Sequence, residues 1–239
     1  MSDLLPTDQN RYVPIEGAKN IRDLGGYMTK DGKMTKWRKY IRGDSLHQLP
    51  VRSQSLLKDE LGIGYIVDLR FPSEGKYQFH ELLDIKYVNV SLKNPEEFVN
   101  MKDPAEVYCN LIDTTQDRIY QVMKHFVKSD EETVLFHCKS GKDRTGIVAA
   151  MLLDLVGVPH ETIIEDYALT AVYLQLDVYD NVPSFLTVDQ YKALRPCRPE
   201  FMQEFLKYLY TDYQNTEEYL KQIGLSQEEV NVIKKNFVF

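Results

Sequence analysis

The sequence predicts an α/β fold: a central, mainly parallel sheet flanked by helices, with a helical C-terminal region. Short β-branched runs alternate with longer helical patterns along most of the chain, which is typical of a parallel sheet whose crossovers are helices. Residues 195–239 show helical periodicity only. With 239 residues, of which 43% are hydrophobic, the chain is long enough for one domain, 1–239, with a sizeable core.

The chain begins with a polar segment, residues 1–19, which we expect to form an N-terminal arm. Residues 25–42 centre on Asp31 and Gly32, and this dipeptide predicts a hairpin with a two-residue turn. Residues 49–64 predict a short helix that a glycine stops.

Three strands are predicted from apolar, β-branched runs. The first is GYIVDLR (64–70), the second is DIKYVNVSL (84–92) and the third is TVLFHC (133–138). Between the second and the third, residues 104–128 show the apolar spacing of a single helix.

A second set of helices follows the third strand. Residues 144–158 are apolar almost all round, which predicts a helix buried at the centre of the domain. Pro159 closes this helix, and residues 159–174 predict another. Three amphipathic helices follow within the C-terminal region, and we expect them to pack on one side of the sheet.

The charge and hydropathy exclude several classes of protein. The formal net charge is -7, which argues against a general nucleic-acid or anionic-membrane binder. No uncharged apolar segment reaches about 18 residues, so no membrane span is expected. The N-terminus shows no signal-peptide pattern. We therefore expect a monomer in the cytoplasm, or outside the cell if a leader has been removed.

The cysteines and histidines indicate neither a disulfide framework nor a metal site. Cys109, Cys138 and Cys197 form no C-x-x-C pair, and their number is odd. Small buried thiols are the simplest interpretation for Cys109 and Cys197. The five histidines show no ligand spacing, which leaves a metal hydrolase unsupported. We expect no metal and no cofactor.

The stretch TVLFHCKSGKDRTGIVAA (133–150) places a cysteine and three cations between a strand and a buried helix. A helix N-terminus exposes unpaired N–H groups and carries partial positive charge, and a loop over it can form an anion-binding nest. We expect Gly141 and Gly146 to allow close turns there. The natural ligand is a phosphate. The full positive charges come from Lys139, Lys142 and Arg144.

The loop is not an ATP-type phosphate loop, because Asp143 stands where that motif needs Ser or Thr and Phe136 where it needs its first glycine. Instead, Cys138 and Arg144 enclose five residues. The cations and the helix N-terminus favour the thiolate form of Cys138, which is a strong nucleophile at neutral pH. Arg144 can bind two phosphoryl oxygens with its planar fork, which lysine cannot do.

HCKSGKDRTG (137–146) resembles the His-Cys-x5-Arg-Thr/Ser signature of cysteine-based protein tyrosine phosphatases. More narrowly, the chain resembles the bacterial tyrosine- and phosphoinositide-phosphatase family over nearly its whole length. The other stretches that carry this resemblance are NIRDLGGYMTKDG (20–32), YIRGDSL (40–46), IVDLRFPSE (66–74), IIEDYALT (163–170) and LKQIGLSQEEVNVIKKNF (220–237).

The resemblance implies that Cys138 is the nucleophile of a phosphocysteine intermediate, that Arg144 holds the phosphate, and that Thr145 hydrogen-bonds the leaving thiolate. It also implies that His137 braces the loop, a role close to that of a satisfied core histidine. A buried structural thiol is the alternative for Cys138. The residues expected to bind substrate are Lys139, Ser140, Gly141, Lys142, Thr145, Gly146 and Arg70.

The general acid has two candidates, because the superfamily's Trp-Pro-Asp tripeptide is absent. Trp37 lies in the predicted hairpin, and KNPEEF (93–98) stands where such a loop would follow the second strand. Asp143 lies beside Arg144, as in lipid phosphatases with a similar Asp-Arg-Thr sequence, and a bound phosphate discourages its ionisation. Asp68 ends a strand whose carboxyl end would open into the same crevice.

Each of these candidates has a structural alternative. Asp143 can orient Arg144 through a salt bridge, and Asp68 can cap or anchor a loop. Arg70 is then a further cation near the substrate, or it forms a surface ion pair with Glu74.

Lys139 and Lys142 predict substrates with more than one phosphate, since each added charge then has a partner; the alternative is that both lysines face solvent. The same two lysine positions occur in a phosphatase that removes the 3-phosphate of inositol lipids. We therefore predict hydrolysis of phosphotyrosine proteins and activity on phosphoinositides. A catalytically weak phosphate-binding module and a sulfurtransferase are the rival interpretations.

Overall fold

The computed structural model describes residues 11–74, 85–92, 104–175 and 196–239. Within them, one sheet has the strand order β1-β2-β5-β3-β4. Only the edge pair β1–β2 is antiparallel, so the predicted mainly parallel sheet is confirmed. The strands are β1 (Arg22–Asp23), β2 (Tyr40–Gly43), β3 (Ile63–Asp68), β4 (Lys86–Asn89) and β5 (Thr133–His137).

Helices flank this sheet, and a short 3-10 turn, Pro72–Glu74, follows β3. Among the described residues, no helix is both long and apolar enough to cross a membrane. The helices are α1 (Val51–Asp59), α2 (Pro104–Thr114), α3 (Gln116–Lys128), α4 (Asp143–Leu155), α5 (His160–Leu174), α6 (Pro199–Tyr213), α7 (Thr216–Gln222) and α8 (Gln227–Phe237).

The sheet buries both of its faces, because successive side chains of a strand point to opposite sides. Val134 and Phe136 of β5 lie in the larger core with helices α2 to α8, whereas Leu135 lies in a smaller core with Leu57 of α1. Helix α4 is buried along almost its whole length, and it contacts β2, β5 and α7. The predicted central buried helix and the helical tail on one side are confirmed.

The single helix predicted over 104–128 is wrong. Thr115 has φ -127° and ψ 31°, and it separates α2 from α3. Its hydroxyl donates to the carbonyl of Leu111 at 2.7 Å, which gives that carbonyl a partner where α2 ends. The central helix also differs from its predicted bounds, 144–158, since it spans Asp143–Leu155 and so ends three residues earlier than predicted.

The hairpin is confirmed, since Met28 and Met34 form an antiparallel bridge. Its turn is longer than predicted. The N–H of Thr29 donates to the carbonyl of Lys33, which leaves three residues in the turn rather than two. Of the expected N-terminal arm, the first ten residues lie outside the described ranges, as do residues 93–98.

The carboxyl ends of three parallel strands meet at one edge of the sheet. Because β5 lies between β2 and β3, His137 is level with Gly43 on one side and with Asp68 on the other. Ligands of α/β proteins bind in the crevice outside such strand ends. The loop that joins β5 to α4 therefore lies at the centre of this crevice.

Candidate active site

The loop after β5, residues 138–142, is held from outside by hydrogen bonds to three consecutive carbonyl groups. Because the C=O and the N–H of a trans peptide point in opposite directions, the N–H groups that follow these carbonyls turn into the concavity of the loop. This is the arrangement of an anion-binding nest. The three bonds join Ser45 N to Lys139 O (3.0 Å), Asn20 Nδ2 to Ser140 O (2.9 Å) and Arg42 Nη2 to Gly141 O (2.8 Å).

Only one of the two glycines of the motif makes a close turn. Gly141 has φ +69°, and a Cβ there would lie 2.6 Å from the carbonyl oxygen of Gly43, so the turn predicted at Gly141 is confirmed. The turn predicted at Gly146 is wrong, because Gly146 lies in the first turns of α4. A Cβ on Gly146 would lie 3.2 Å from the ring of Tyr167, so its missing side chain makes room for that ring.

A buried ionic cluster lies behind the loop. Nε of Arg22 and Nη1 of Arg42 bind the two carboxylate oxygens of Asp166 at 2.9 Å and 2.5 Å. Burial alone would raise the pKa of Asp166, but the two guanidinium groups hold it well below its usual range. Arg22 also bonds Asn20. The same cluster thus holds both Arg42 and Asn20, which bind the loop carbonyls.

Cys138 begins the loop and is buried, with 2% of its surface exposed. Nδ1 of His137 lies 3.2 Å from the carbonyl oxygen of Cys138, and burial lowers the pKa of His137. A neutral imidazole can donate from Nδ1 to this carbonyl. This contact joins His137 to the first residue of the loop. The bracing role of His137 stays a prediction.

Arg144 has a specific pattern of used and unused donors. Its Nη1 and Nη2 donate to the carboxylate of Glu74 at 2.6 Å and 2.7 Å, and Nη1 also reaches the carbonyl of Leu69 at 3.4 Å. Nε is buried and has no partner among the described residues. A guanidinium group has five N–H donors, and the contacts above use three of them. The two that remain, Nε–H and one Nη2–H, lie on the same edge of the group.

The pair of Arg144 and Glu74 is charged. Burial alone would lower the pKa of Arg144, but the hydrogen bonds to the Glu74 carboxylate and its charge raise it above its usual value. Burial would raise the pKa of Glu74, and the hydrogen bonds from Arg144 hold it below the usual range. Glu74 is therefore the residue that orients Arg144, in place of the salt bridge considered for Asp143.

Asp143 lies at the start of α4, and its side chain is 19% exposed. Its Oδ1 accepts a hydrogen bond from the hydroxyl of Tyr108 at 2.6 Å. Nζ of Lys142 lies 3.4 Å from the same oxygen. The loop aspartate is thus held by α2 and by its own neighbour in the chain.

Asp68 and Arg70 form a buried pair at the end of β3. Nε of Arg70 lies 3.1 Å from Asp68, whose other oxygen accepts from the hydroxyl of Tyr87 at 2.8 Å. Burial alone would raise the pKa of Asp68, but His137 and Arg70 hold it below its usual range. Arg70 is 1% exposed, so the alternative of a surface ion pair with Glu74 is wrong.

The two lysines of the loop lie in different environments. Lys139 is exposed, whereas the side chain of Lys142 is 7% exposed and its Nζ lies 3.3 Å from the carbonyl of Pro196. The expectation that both lysines face solvent is wrong for Lys142. The hydroxyl of Thr145 is fully buried and finds no hydrogen-bond partner in the described part of the chain.

Several residues that build this site were not found from the sequence as site residues. A charged side chain in a buried strand or helix indicates that it has a partner inside the protein. The sequence does not show which residue that partner is, since Arg22 and Asp166, for example, lie 144 positions apart. These residues are Asn20, Arg22, Arg42, Glu74, Tyr108 and Asp166.

A parallel α/β sheet that carries a cysteine at the start of an anion nest, followed by a buried arginine, defines a cysteine-based phosphatase fold. The chain belongs to the tyrosine phosphatase family, whose model matches residues 13–239.

Named relatives agree with this membership. The chain is 31% identical over 200 residues to a tyrosine-protein phosphatase of Nostoc commune, which covers 73% of this chain and 66% of that protein. It is 26% identical over 173 residues to a putative tyrosine-protein phosphatase of Cupriavidus necator, with 66% and 63% covered. The matches span no more than about two thirds of these relatives.

Among solved structures, TpbA of P. aeruginosa aligns over 81% of this chain and 91% of that chain, with 16% identity and a TM-score of 0.43. A similarity at this level says nothing about activity.

Proposed function

We propose that the chain is a phosphatase that hydrolyses phosphotyrosine through a phosphocysteine intermediate. The observation that carries this proposal is the unused edge of Arg144, with Nε–H and one Nη2–H side by side, next to a loop whose N–H groups point inward. A phosphoryl group needs this combination, because its charge spreads over three equatorial oxygens during transfer.

In the first step, the Cys138 thiolate attacks phosphorus from the base of the nest. The P–S bond forms as the bond from phosphorus to the phenolic oxygen breaks, and the leaving oxygen takes a proton from Asp143. Arg144 and the N–H groups of residues 139–144 stabilise the equatorial oxygens. The products of this step are tyrosine and phosphocysteine.

In the second step, a water molecule attacks phosphorus and gives its proton to Asp143. The P–S bond breaks, and inorganic phosphate and the Cys138 thiolate are released. The unpartnered hydroxyl of Thr145 lies on the residue after Arg144 and is the group that can donate to the thiolate as it forms.

We assign the acid role to Asp143 rather than Asp68. Asp68 is 2% exposed, and its two oxygens are engaged by Arg70 and Tyr87, so it offers no free oxygen to a leaving group. Asp143 is partly exposed at the loop. Replacing Asp143 by Asn removes the basic limb of the pH–rate profile in this proposal, whereas an unchanged profile would contradict it.

The central test is acid-quench trapping with radiolabelled phosphotyrosine peptide. Wild type should carry label on Cys138 and release phosphate, and Cys138→Ser should lose both while still binding vanadate. Cys109→Ser is the matched thiol control and should turn over normally, since Cys109 lies outside the loop of residues 138–142. Binding of phosphotyrosine without phosphate release by wild type would favour the phosphate-binding module, and a persulfide on Cys138 would favour the sulfurtransferase.

Phosphoinositides are the second proposed substrate class. Lys139 is an exposed residue of the loop, and its charge helps to lower the pKa of Glu74, the partner of Arg144. Both facts support a position near the phosphate. Lys139→Ala should lower kcat/KM about threefold to tenfold for soluble inositol lipids with two or more phosphates, and less for phosphotyrosine peptides. No phosphate release from any inositol phosphate by wild type would remove this part of the proposal.

A further inference from the structure

Three side chains from three helices form a continuous chain of hydrogen bonds that ends at the loop. The hydroxyl of Tyr167 on α5 lies 2.5 Å from the hydroxyl of Tyr108 on α2. The hydroxyl of Tyr108 in turn lies 2.6 Å from Oδ1 of Asp143 on α4. Both tyrosines are 1% exposed, so water is kept from the two hydroxyl groups, and only the Asp143 end of the chain is partly exposed.

The direction of this chain follows from the number of protons. Burial, together with the nearby carboxylate of Asp143, raises the pKa of Tyr108 well above its usual value, and burial does the same for Tyr167. Both residues therefore remain phenols with one proton each. Tyr108 donates its proton to Asp143 and accepts from Tyr167, an alignment in which each bond strengthens the next.

We propose that Tyr108 is a positioning residue for the proton-donating carboxyl of Asp143. This inference rests on the proposed function. By holding Oδ1, Tyr108 leaves Oδ2 to carry the proton that passes to the leaving oxygen. When that proton leaves, the O–H of Tyr108 and the ammonium of Lys142 stabilise the new negative charge on Asp143.

The experiment compares two aryl phosphates that differ in their need for an acid. Phenyl phosphate has a poor leaving group, and 2,4-dinitrophenyl phosphate has one that departs without a proton. Tyr108→Phe should lower kcat/KM for phenyl phosphate about tenfold, the cost of one hydrogen bond to a charged group, and leave the dinitrophenyl ester within about twofold.

A double-mutant cycle with Asp143→Asn separates this role from a packing defect. In the Asp143→Asn background, Tyr108→Phe should have no further effect on the ratio of the two substrates. Tyr167→Phe keeps the contact between Tyr108 and Asp143, so it should change the ratio in the same direction but less. This second variant also decides the question if Tyr108→Phe does not fold.

Equal losses on both substrates in Tyr108→Phe, or an unaltered ratio in Tyr167→Phe with Tyr108→Phe unfolded, would overturn the inference while the phosphatase proposal stands. If wild type hydrolyses neither ester, the proposed function fails instead, and the inference fails with it.

Discussion

The two buried arginine–carboxylate groups near the loop differ in what they leave available. Behind the loop, two arginines share Asp166, and Arg42 also donates to the carbonyl of Gly141, although its Nε is buried without a partner among the described residues. At the start of α4, Arg144 donates to Glu74 through both Nη groups, and Nε–H and one Nη2–H on its other edge have no partner in the described part of the chain. Both groups are ion pairs out of water. Arg42 holds a carbonyl of the loop, whereas the two unused donors of Arg144 form one edge that can receive two oxygens of an anion.

The two groups therefore have different expected roles, one in the stability of the fold and the other in catalysis. A buried charge whose contacts hold protein groups such as a loop carbonyl fixes a conformation, whereas one with a free two-donor edge can bind an anion. We therefore expect substitutions in the Asp166 cluster to act on folding, and substitutions in the Arg144 pair to act on turnover.

The largest expected effect is that of Asp166→Asn on the free energy of unfolding. The change leaves two buried guanidinium groups without a counter-charge, and breaking a buried pair in this way costs about 3–5 kcal/mol. Urea unfolding measures the loss. Asp113→Asn is the control, because Asp113 is exposed and should cost no more than about 1 kcal/mol. Equal losses in the two variants would break the comparison.

The next effect is that of Arg144→Lys on kcat. Lysine keeps the charge beside Glu74 but lacks the two-donor edge, so turnover of phosphotyrosine should fall roughly 10²–10³-fold. The free energy of unfolding should fall much less than in Asp166→Asn. A stability loss as large as that of Asp166→Asn would show that the two groups are not different in kind.

Glu74→Gln should have a smaller effect on the same pair. The amide still accepts one hydrogen bond, but it no longer holds both Nη groups of Arg144, and kcat should fall about tenfold. Vanadate affinity should change less, because the lost negative charge favours anion binding. An unchanged kcat would mean that Arg144 needs no orienting carboxylate.

The smallest effect is a pH dependence of stability due to His137. Burial lowers its pKa, so below about pH 6.5 the unfolded chain takes up a proton that the native chain does not. The free energy of unfolding should therefore fall as the pH drops from about 6.5 to 5. Glu74 and Asp166 have lowered pKa values, so their contributions are present above about pH 4.5 and are lost only at lower pH.

His137→Asn should reduce the slope between about pH 5 and 6.5 and leave the part due to His125, whose pKa burial also lowers. His47→Asn should keep the full slope, because His47 is exposed. An unchanged slope in His137→Asn would assign the pH dependence to other groups, and loss of the slope between about pH 5 and 6.5 in Asp166→Asn would contradict the separation of the two windows.

Much of this architecture could be predicted from local patterns. The alternating strands and helices, the central buried helix of residues 144–158 and the loop with Cys138 all depend on periodicity or on short spacing, which a chain displays without its partners. Predictions failed where a single residue competes with the periodicity, as Thr115 does between α2 and α3. They also failed where a glycine can serve either a tight turn or the close approach of another side chain. At Gly146 it makes room for the ring of Tyr167.

By itself, the sequence determined the nucleophile candidate and the anion nest, because these follow from residue types within a span of about ten positions. It also determined the α/β class, which follows from the alternation of strand and helix patterns along the chain. Only the tertiary structure decided the partners: Glu74 rather than Asp143 for Arg144, Tyr108 for Asp143, and Asp166 for Arg22 and Arg42. The physical reason is that a buried charge must be neutralised by whatever group the fold brings next to it, and that group lies at no fixed distance along the chain.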